Sequence, residues 1–214
     1  MILAKLRSLS VEELANSLTH GFGLILSIAG FIFLTVLAVI NGDGWHIASS
    51  IIYGSSLVIL YAASTIYHTA TDPHWKRRLQ ILDHCCIYLL IAGSYTPFIL
   101  IILRNQLGAG ILTLVWAAAA FGIAMKLIFR SRFSAIGIAL YLIMGWIGVL
   151  AVQPLYLALG AAPLALVIAG GLSYTAGLIF FGWHGLRHHH AIFHVFILAG
   201  SILHFVAVAF YVLA

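Results

Sequence analysis

Eleven histidines stand beside only five carboxylates in this chain, and their spacing decides what they can do. His190 and His194, in the run HAIFH, are four residues apart. On a helix that interval turns about 400° and rises about 6 Å, so both imidazoles face one side. The spacing suits two ligands of one metal ion. By itself H-x-x-x-H is a weak signal in a histidine-rich stretch; His184 and His188 repeat it across Gly185 and Arg187. A third ligand, His68, and a carboxylate, Asp83, are expected at the same membrane depth. Three imidazoles leave a fourth position open, the pattern of a catalytic zinc (Zn2+) whose bound water has a pKa of about 7. Asp83 is then placed to accept a proton from that water or to orient it. Simpler readings stand beside these. Asp83 at a helix start also fits a pairing with Arg77 or Arg78, and His68 fits an interfacial residue beside Tyr67. Ser64, one turn before His68, fits either a support for the metal water or a bond back to its own helix carbonyls.

The segment SVEELANSLTH carries a second polar group. Ser10 and Glu13 have the spacing of a capping box, which accounts for Glu13 without any function. Glu13, Asn16 and His20 also share one helical face, a stripe expected to seal the underside of the site. His204 lies ten residues beyond His194, about 15 Å deeper, too far to share the metal. It is expected as a buried polar contact or as part of a substrate cavity. His46 and His74 are expected in loops. Cys85 and Cys86 are adjacent, so their side chains diverge on a helix, and no disulfide or Cys-x-x-Cys metal pair is expected.

The elements that position these residues follow from composition. Of 214 residues, 64% are hydrophobic and 7% charged, where a soluble domain has about 45–50% and 25%. A polar surface cannot be built from this chain, which excludes a soluble enzyme, a disordered chain and a nucleic-acid-binding domain. Charge-free stretches of 20 to 29 residues recur, with one of 54 between Arg132 and Arg187. A spanning helix needs about 20 apolar residues, so the longest stretch holds two, joined through Gln153-Pro154 and Pro163. The pattern predicts an all-α membrane protein of seven helices near 18–40, 47–69, 82–103, 108–129, 134–152, 161–183 and 191–212. Uniformly apolar runs such as GFIFLTVLAVI exclude a barrel, whose strands alternate over about ten residues. Short connectors predict a single domain over 1–214. A cleavable signal peptide is not expected, since the first apolar run is long and follows Glu12-Glu13.

Lys5, Arg7, Lys76, Arg77, Arg78, Lys126, Arg130, Arg132 and Arg187 fall on one side of this arrangement and Arg104 alone on the other. That bias places the N-terminus in the cytoplasm and the C-terminus outside. The net charge of +5 is thereby explained by topology and anionic lipid, not by nucleic acid. The same topology brings His68, Asp83, His190 and His194 to one cytoplasmic layer.

Three motifs then stand out: E-x-x-N-x-x-x-H (Glu13, Asn16, His20), S-x-x-x-H followed by an aspartate (Ser64, His68, Asp83) and H-x-x-x-H (His190, His194). With the stretches LDHCCIYLLIAGSYTPF and HAIFHVFILAGSILHF, they resemble the bacterial hemolysin III proteins of the progestin and adipoQ receptor family over essentially the whole chain. The resemblance implies seven helices in the inner or plasma membrane, an intracellular N-terminus and zinc held by His68, His190 and His194. It matches Asp83 to an aspartate that contacts the zinc-bound water in the adiponectin receptors. Those receptors' long N-terminal region is absent here, so hormone binding is not implied.

Three functions are open at this point. One is a zinc hydrolase acting on a lipid amide, of the ceramidase type, with Asp83 and Ser64 in catalytic roles and membrane lipids or fatty-acid amides as partners. Another is a receptor-like or homeostatic protein that senses acyl chains and uses zinc as a structural tie. The third is the cytolysin of the family name, which the absence of a sustained polar stripe on any helix disfavours.

Overall fold

Ser10, Asp43 and Asp72 decide where the first three long helices begin. In this computed structural model, which describes residues 9–129 and 134–214, Ser10 Oγ accepts the Glu13 amide at 3.2 Å and opens α1 (Val11–Asn41). Asp43 accepts the amides of Trp45 and His46 at 2.9 and 3.2 Å and opens α2 (Gly44–Thr69). Asp72 accepts those of His74 and Trp75 at 2.9 and 2.8 Å, and Pro73 opens α3 (Pro73–Pro97). Short polar side chains meet the free N–H groups of a helix start, and a proline there has no N–H to leave unmet.

These caps correct the expected boundaries. α1 begins at residue 11 instead of 18, and α3 at 73 instead of 82. Lys76, Arg77 and Arg78 therefore ride on the first turns of α3, not in a loop. His46 and His74 likewise sit in first helical turns.

α3 runs on through a π-helical turn, Phe98–Ile102, immediately after Pro97, whose ring nitrogen donates no hydrogen bond. α4 (Gln106–Phe129) follows. The fifth span is broken into α5 (Ser134–Trp146), a 3-10 turn (Ile147–Ala151) and α6 (Val152–Leu159). A break inside a membrane must be re-satisfied by neighbouring groups, and Tyr95 of α3 does this. Its hydroxyl reaches the carbonyls of Met144 and Gly145 at 2.8 and 2.9 Å and accepts the Gly148 amide at 2.9 Å.

The expected connector from Gln153-Pro154 to Pro163 is helical instead. Both prolines occupy first turns, where their missing donor is tolerated. Gly160 alone, at φ +82, separates α6 from α7 (Ala161–Gly182), a conformation that glycine adopts without strain. α8 (His189–Tyr211) closes the chain.

Seven helical spans are thus long and apolar enough to cross a membrane, and among the described residues there is no strand. This is the seven-helix membrane bundle that the composition predicts. Its apolar bulk faces outward, as at Ile40 and Leu157, while Tyr53, Tyr61 and Met144 are buried. Helices in lipid gain little from hydrophobic burial against each other, so close packing and hydrogen bonds hold them. Tyr61 of α2 donates to Ser201 of α8 at 2.8 Å, and Tyr174 of α7 lies 3.0 Å from the same hydroxyl. Gly23 lets α1 meet the Tyr61 ring, which a Cβ there would approach to 2.6 Å.

The two ends of the bundle differ in charge. Asp43 and Arg104 pair at 3.3 Å at one end. Glu13, His68, Lys76 and His190 gather at the other, with Lys126 beside Asp83 and Arg187 just before α8. Lys5, Arg7, Arg130 and Arg132, which complete the charge bias, lie outside the described residues.

Candidate metal centre

His68 is the penultimate residue of α2, while His190 and His194 lie on the first turns of α8. An up-and-down bundle brings the end of the second span level with the start of the seventh. One ring nitrogen from each histidine lies within 4.8 Å of the other two. The ring centroids are 4.6 Å apart for His190–His194, 5.0 Å for His68–His194 and 5.1 Å for His68–His190. His68 and His194 are buried and His190 is half-buried.

α1 packs against this cluster from below. Glu13 bridges two partners, His68 Nδ1 at 2.7 Å and Lys76 Nζ at 2.7 Å. The Ser10 half of the expected capping box forms, but the Glu13 carboxylate leaves its own backbone for these partners, since bonds between charged groups are the stronger ones. His20 lies flat on His194, with centroids 3.4 Å apart and planes at 16°, and meets Tyr61 edge-on at 5.0 Å. Asn16 approaches through its carbonyl oxygen, 3.2 Å from His194 Nδ1.

Two buried polar residues complete the layer. Asp83, 8% exposed, forms no ion pair with Arg77 or Arg78 among the described residues; Arg78 stacks over Trp75 instead. Ser64 is fully buried next to Asp83, yet its hydroxyl has no hydrogen bond of good geometry, either to that carboxylate or back to its helix. The surface pairing of Asp83 and the back-bonded Ser64 are therefore not what the fold adopts.

Asp83, Ser64, His190 and His194 face a cavity of about 350 Å³ that continues, between mostly apolar walls, to His204. His204 lines this cavity, with Nε2 3.0 Å from the Val167 carbonyl oxygen, and stands apart from the three-histidine cluster. Cys85 and Cys86 are buried free thiols.

The sequence reading missed His84, which lines the cavity beside Asp83. A signal was present: His84, Ile87, Tyr88, Ile91 and Tyr95 all line it, at intervals that mark one helical face. It also missed Thr19, whose hydroxyl is 3.1 Å from His194 Nδ1; nothing local in a leading helix announces a partner 175 residues away.

The donor set fits a metal ion. His68 Nε2 is buried and has no hydrogen-bond partner, although buried polar atoms are nearly always satisfied. Its other nitrogen is held by a carboxylate, the usual arrangement of a metal-binding imidazole.

Residues 9–205 match the family model described as haemolysin-III related. The chain belongs to the haemolysin-III-related family. It is 44% identical over 200 residues to the hemolysin-3 homolog of Bacillus subtilis, covering 94% of both chains. It is 45% identical over 202 residues to the hemolysin-3 of Bacillus cereus, covering 94% of this chain and 92% of that one. More distantly, it is 30% identical over 206 residues to the human monocyte to macrophage differentiation factor, covering 92% and 83%. These relatives place the family within the wider progestin and adipoQ receptor group, and with the seven spans they make this a multi-pass integral protein of the cell membrane.

Proposed function

We propose that this protein is a zinc-dependent hydrolase of a lipid amide, working near the cytoplasmic face in membrane lipid homeostasis. The observation that carries the reading is the three-histidine cluster, two of whose members, His190 and His194, line an apolar cavity together with buried Asp83. His68, His190 and His194 would hold the ion. Zinc in such a site supplies an acidified water and polarises a carbonyl. Asp83 would take up the proton at a carboxylate oxygen and return it to the departing amine. Ser64, whose buried hydroxyl is left without a partner, would support the water held there. The apolar walls would take the acyl chain and keep bulk water from the reacting bond. Five of the six described basic residues lie at the histidine end, which supports a cytoplasmic position for the site.

Elemental analysis and lipid mass spectrometry, before and after incubation, test this together. About one zinc per chain is expected, with a lipid amide consumed and its fatty acid appearing. Asp83→Asn should keep zinc and slow turnover by about 10²–10⁴, the usual loss when a general base is removed. No turnover of any lipid amide by the zinc-loaded wild type would overturn the hydrolase; wild-type turnover by Asp83→Asn would overturn the role of Asp83, and by zinc-free protein that of zinc.

A second reading is a lipid-sensing protein in which zinc ties α2 to α8. The three histidines come from both of those spans, His68 from α2 and His190 and His194 from α8, which favours it. Full complementation by Asp83→Asn, beside a His190→Ala protein that does not fold, would select it. The relatives' names carry a cytolytic role; leakage of dye-loaded vesicles caused by this protein with zinc removed would select that instead.

A further inference from the structure

Two of the three histidines have their second ring nitrogen held by the same helix, and that helix supplies no ligand. Glu13 Oε2 lies 2.7 Å from His68 Nδ1. A carboxylate accepts, so His68 carries its proton on Nδ1 and leaves Nε2 as the lone pair. The Asn16 carbonyl lies 3.2 Å from His194 Nδ1. A carbonyl also only accepts, so His194 carries its proton on Nδ1 as well. Thr19 agrees: its hydroxyl donates to the carbonyls of Ala15 and Asn16 at 3.0 and 2.9 Å, so its oxygen accepts from His194 at 3.1 Å. Residues 13, 16 and 19 recur every third position, so one face of α1 makes all three contacts.

Glu13 is itself anchored. Lys76 Nζ sits 2.7 Å from its other oxygen, donates to the Ala70 carbonyl at 3.3 Å and lies 5.1 Å over the Tyr67 ring. The first turn of α3 thereby holds the carboxylate against the end of α2.

We infer that α1 is the positioning element of the metal centre: Glu13, anchored by Lys76, and the Asn16–Thr19 turn lock His68 and His194 in the Nδ1–H tautomer, leaving Nε2 of each as the ligand atom. The inference rests on the metal-site reading above but concerns the chain's own tautomers, which exist without metal. It gives Glu13 a role that capping does not. A histidine free to choose its tautomer presents the wrong nitrogen part of the time, and partners that fix metal-binding histidines typically govern affinity by about 10–100-fold.

The test uses full-length protein in detergent. Zinc affinity is measured by chelator competition, and histidine tautomers in the zinc-free protein by long-range proton–nitrogen spectra, assigned with His68→Gln and His194→Gln. Wild type is expected to show both rings as Nδ1–H. Glu13→Leu should move His68 out of that form and weaken zinc about 100-fold, while Glu13→Gln, which keeps an amide acceptor, should weaken it about 10-fold. Lys76→Met and Thr19→Val should fall below Glu13→Gln, because each leaves the main acceptor in place. Thermal stability of the zinc-free variants separates positioning from unfolding. If Glu13→Leu does not fold, Glu13→Gln and Thr19→Val carry the test. Wild-type zinc affinity together with an unchanged His68 tautomer in the Glu13 variants would overturn the inference. A wild type that takes no zinc, yet shows both Nδ1–H rings and loses one in Glu13→Leu, would overturn the metal reading and leave α1's positioning role standing.

Discussion

The bundle holds two carboxylate–histidine pairs with the same short contact. His46 Nδ1 lies 2.7 Å from Asp43 at one end, and His68 Nδ1 lies 2.7 Å from Glu13 at the other. The first pair is three residues apart and belongs to a helix start, where the His46 ring and the Asp43 carboxylate serve each other's backbone amides. The second joins residues 55 apart and buries the ring to 3% exposure against 21% for His46. Distance and chemistry are alike in the two; burial and the fate of Nε2 are not. His68 Nε2 is sealed in beside two further imidazoles, and His46 is in no such cluster among the described residues. A carboxylate on a histidine becomes a metal-site feature only when the fold gives the other nitrogen something to hold.

The sharpest way to break that contrast is to remove each ring. His68→Ala should abolish stoichiometric zinc, because two imidazoles on one helix turn leave half the coordination to water. His46→Ala should leave zinc unchanged. Elemental analysis of the two purified proteins decides it, and equal zinc in both would dissolve the distinction between the two ends.

This difference also marks how much of the molecule was legible in the chain. The apolar stretches between charges predicted seven spans, because lipid demands a length that sequence displays directly. His68, Asp83, His190 and His194 were brought to one layer by counting spans alone, since alternation fixes depth. Lateral neighbours are another matter. Glu13 has the spacing of a capping box, and only the packing of α1 beside α2 sends its carboxylate to His68. The broken fifth span was hidden for a similar reason: Tyr95, some fifty residues earlier, supplies the bonds that let the helix break. Helix starts were misplaced where Ser10 and Asp72 outweigh the apolar pattern, because a cap extends a helix past the residues that face lipid.

A smaller effect is expected midway between the ends. Tyr61→Phe removes the 2.8 Å bond to Ser201 but leaves Ser201 with Tyr174 at 3.0 Å. Hydrogen bonds between membrane helices contribute about 0.6 kcal/mol on average, so a melting temperature lower by about 1–2 °C is expected with zinc retained. Loss of zinc in this variant would mean that the tie between α2 and α8 lies in the bundle interior and not in the histidine cluster.

The smallest effect belongs to Asp43→Asn. Asparagine caps a helix about as well as aspartate, so α2 keeps its start and only the charge is lost. The pair with Arg104 is 52% and 43% exposed, and exposed pairs contribute little. The His46 ring, bonded to Asp43, together with the His46 and Trp45 amides and Arg104, holds this carboxyl well below the usual carboxylate range. A carboxylate so lowered adds its stability fully above its unfolded value of about 3.9 and loses it only as pH falls further. Wild type and Asp43→Asn should therefore melt within about 2 °C of each other at every pH from about 5 to 8, and converge below about pH 4. A larger gap between pH 5 and 8 would instead show that the exposed contacts of this carboxylate carry real stability. The exposed pair would then matter to the fold as a buried one does, and burial would no longer separate the two ends.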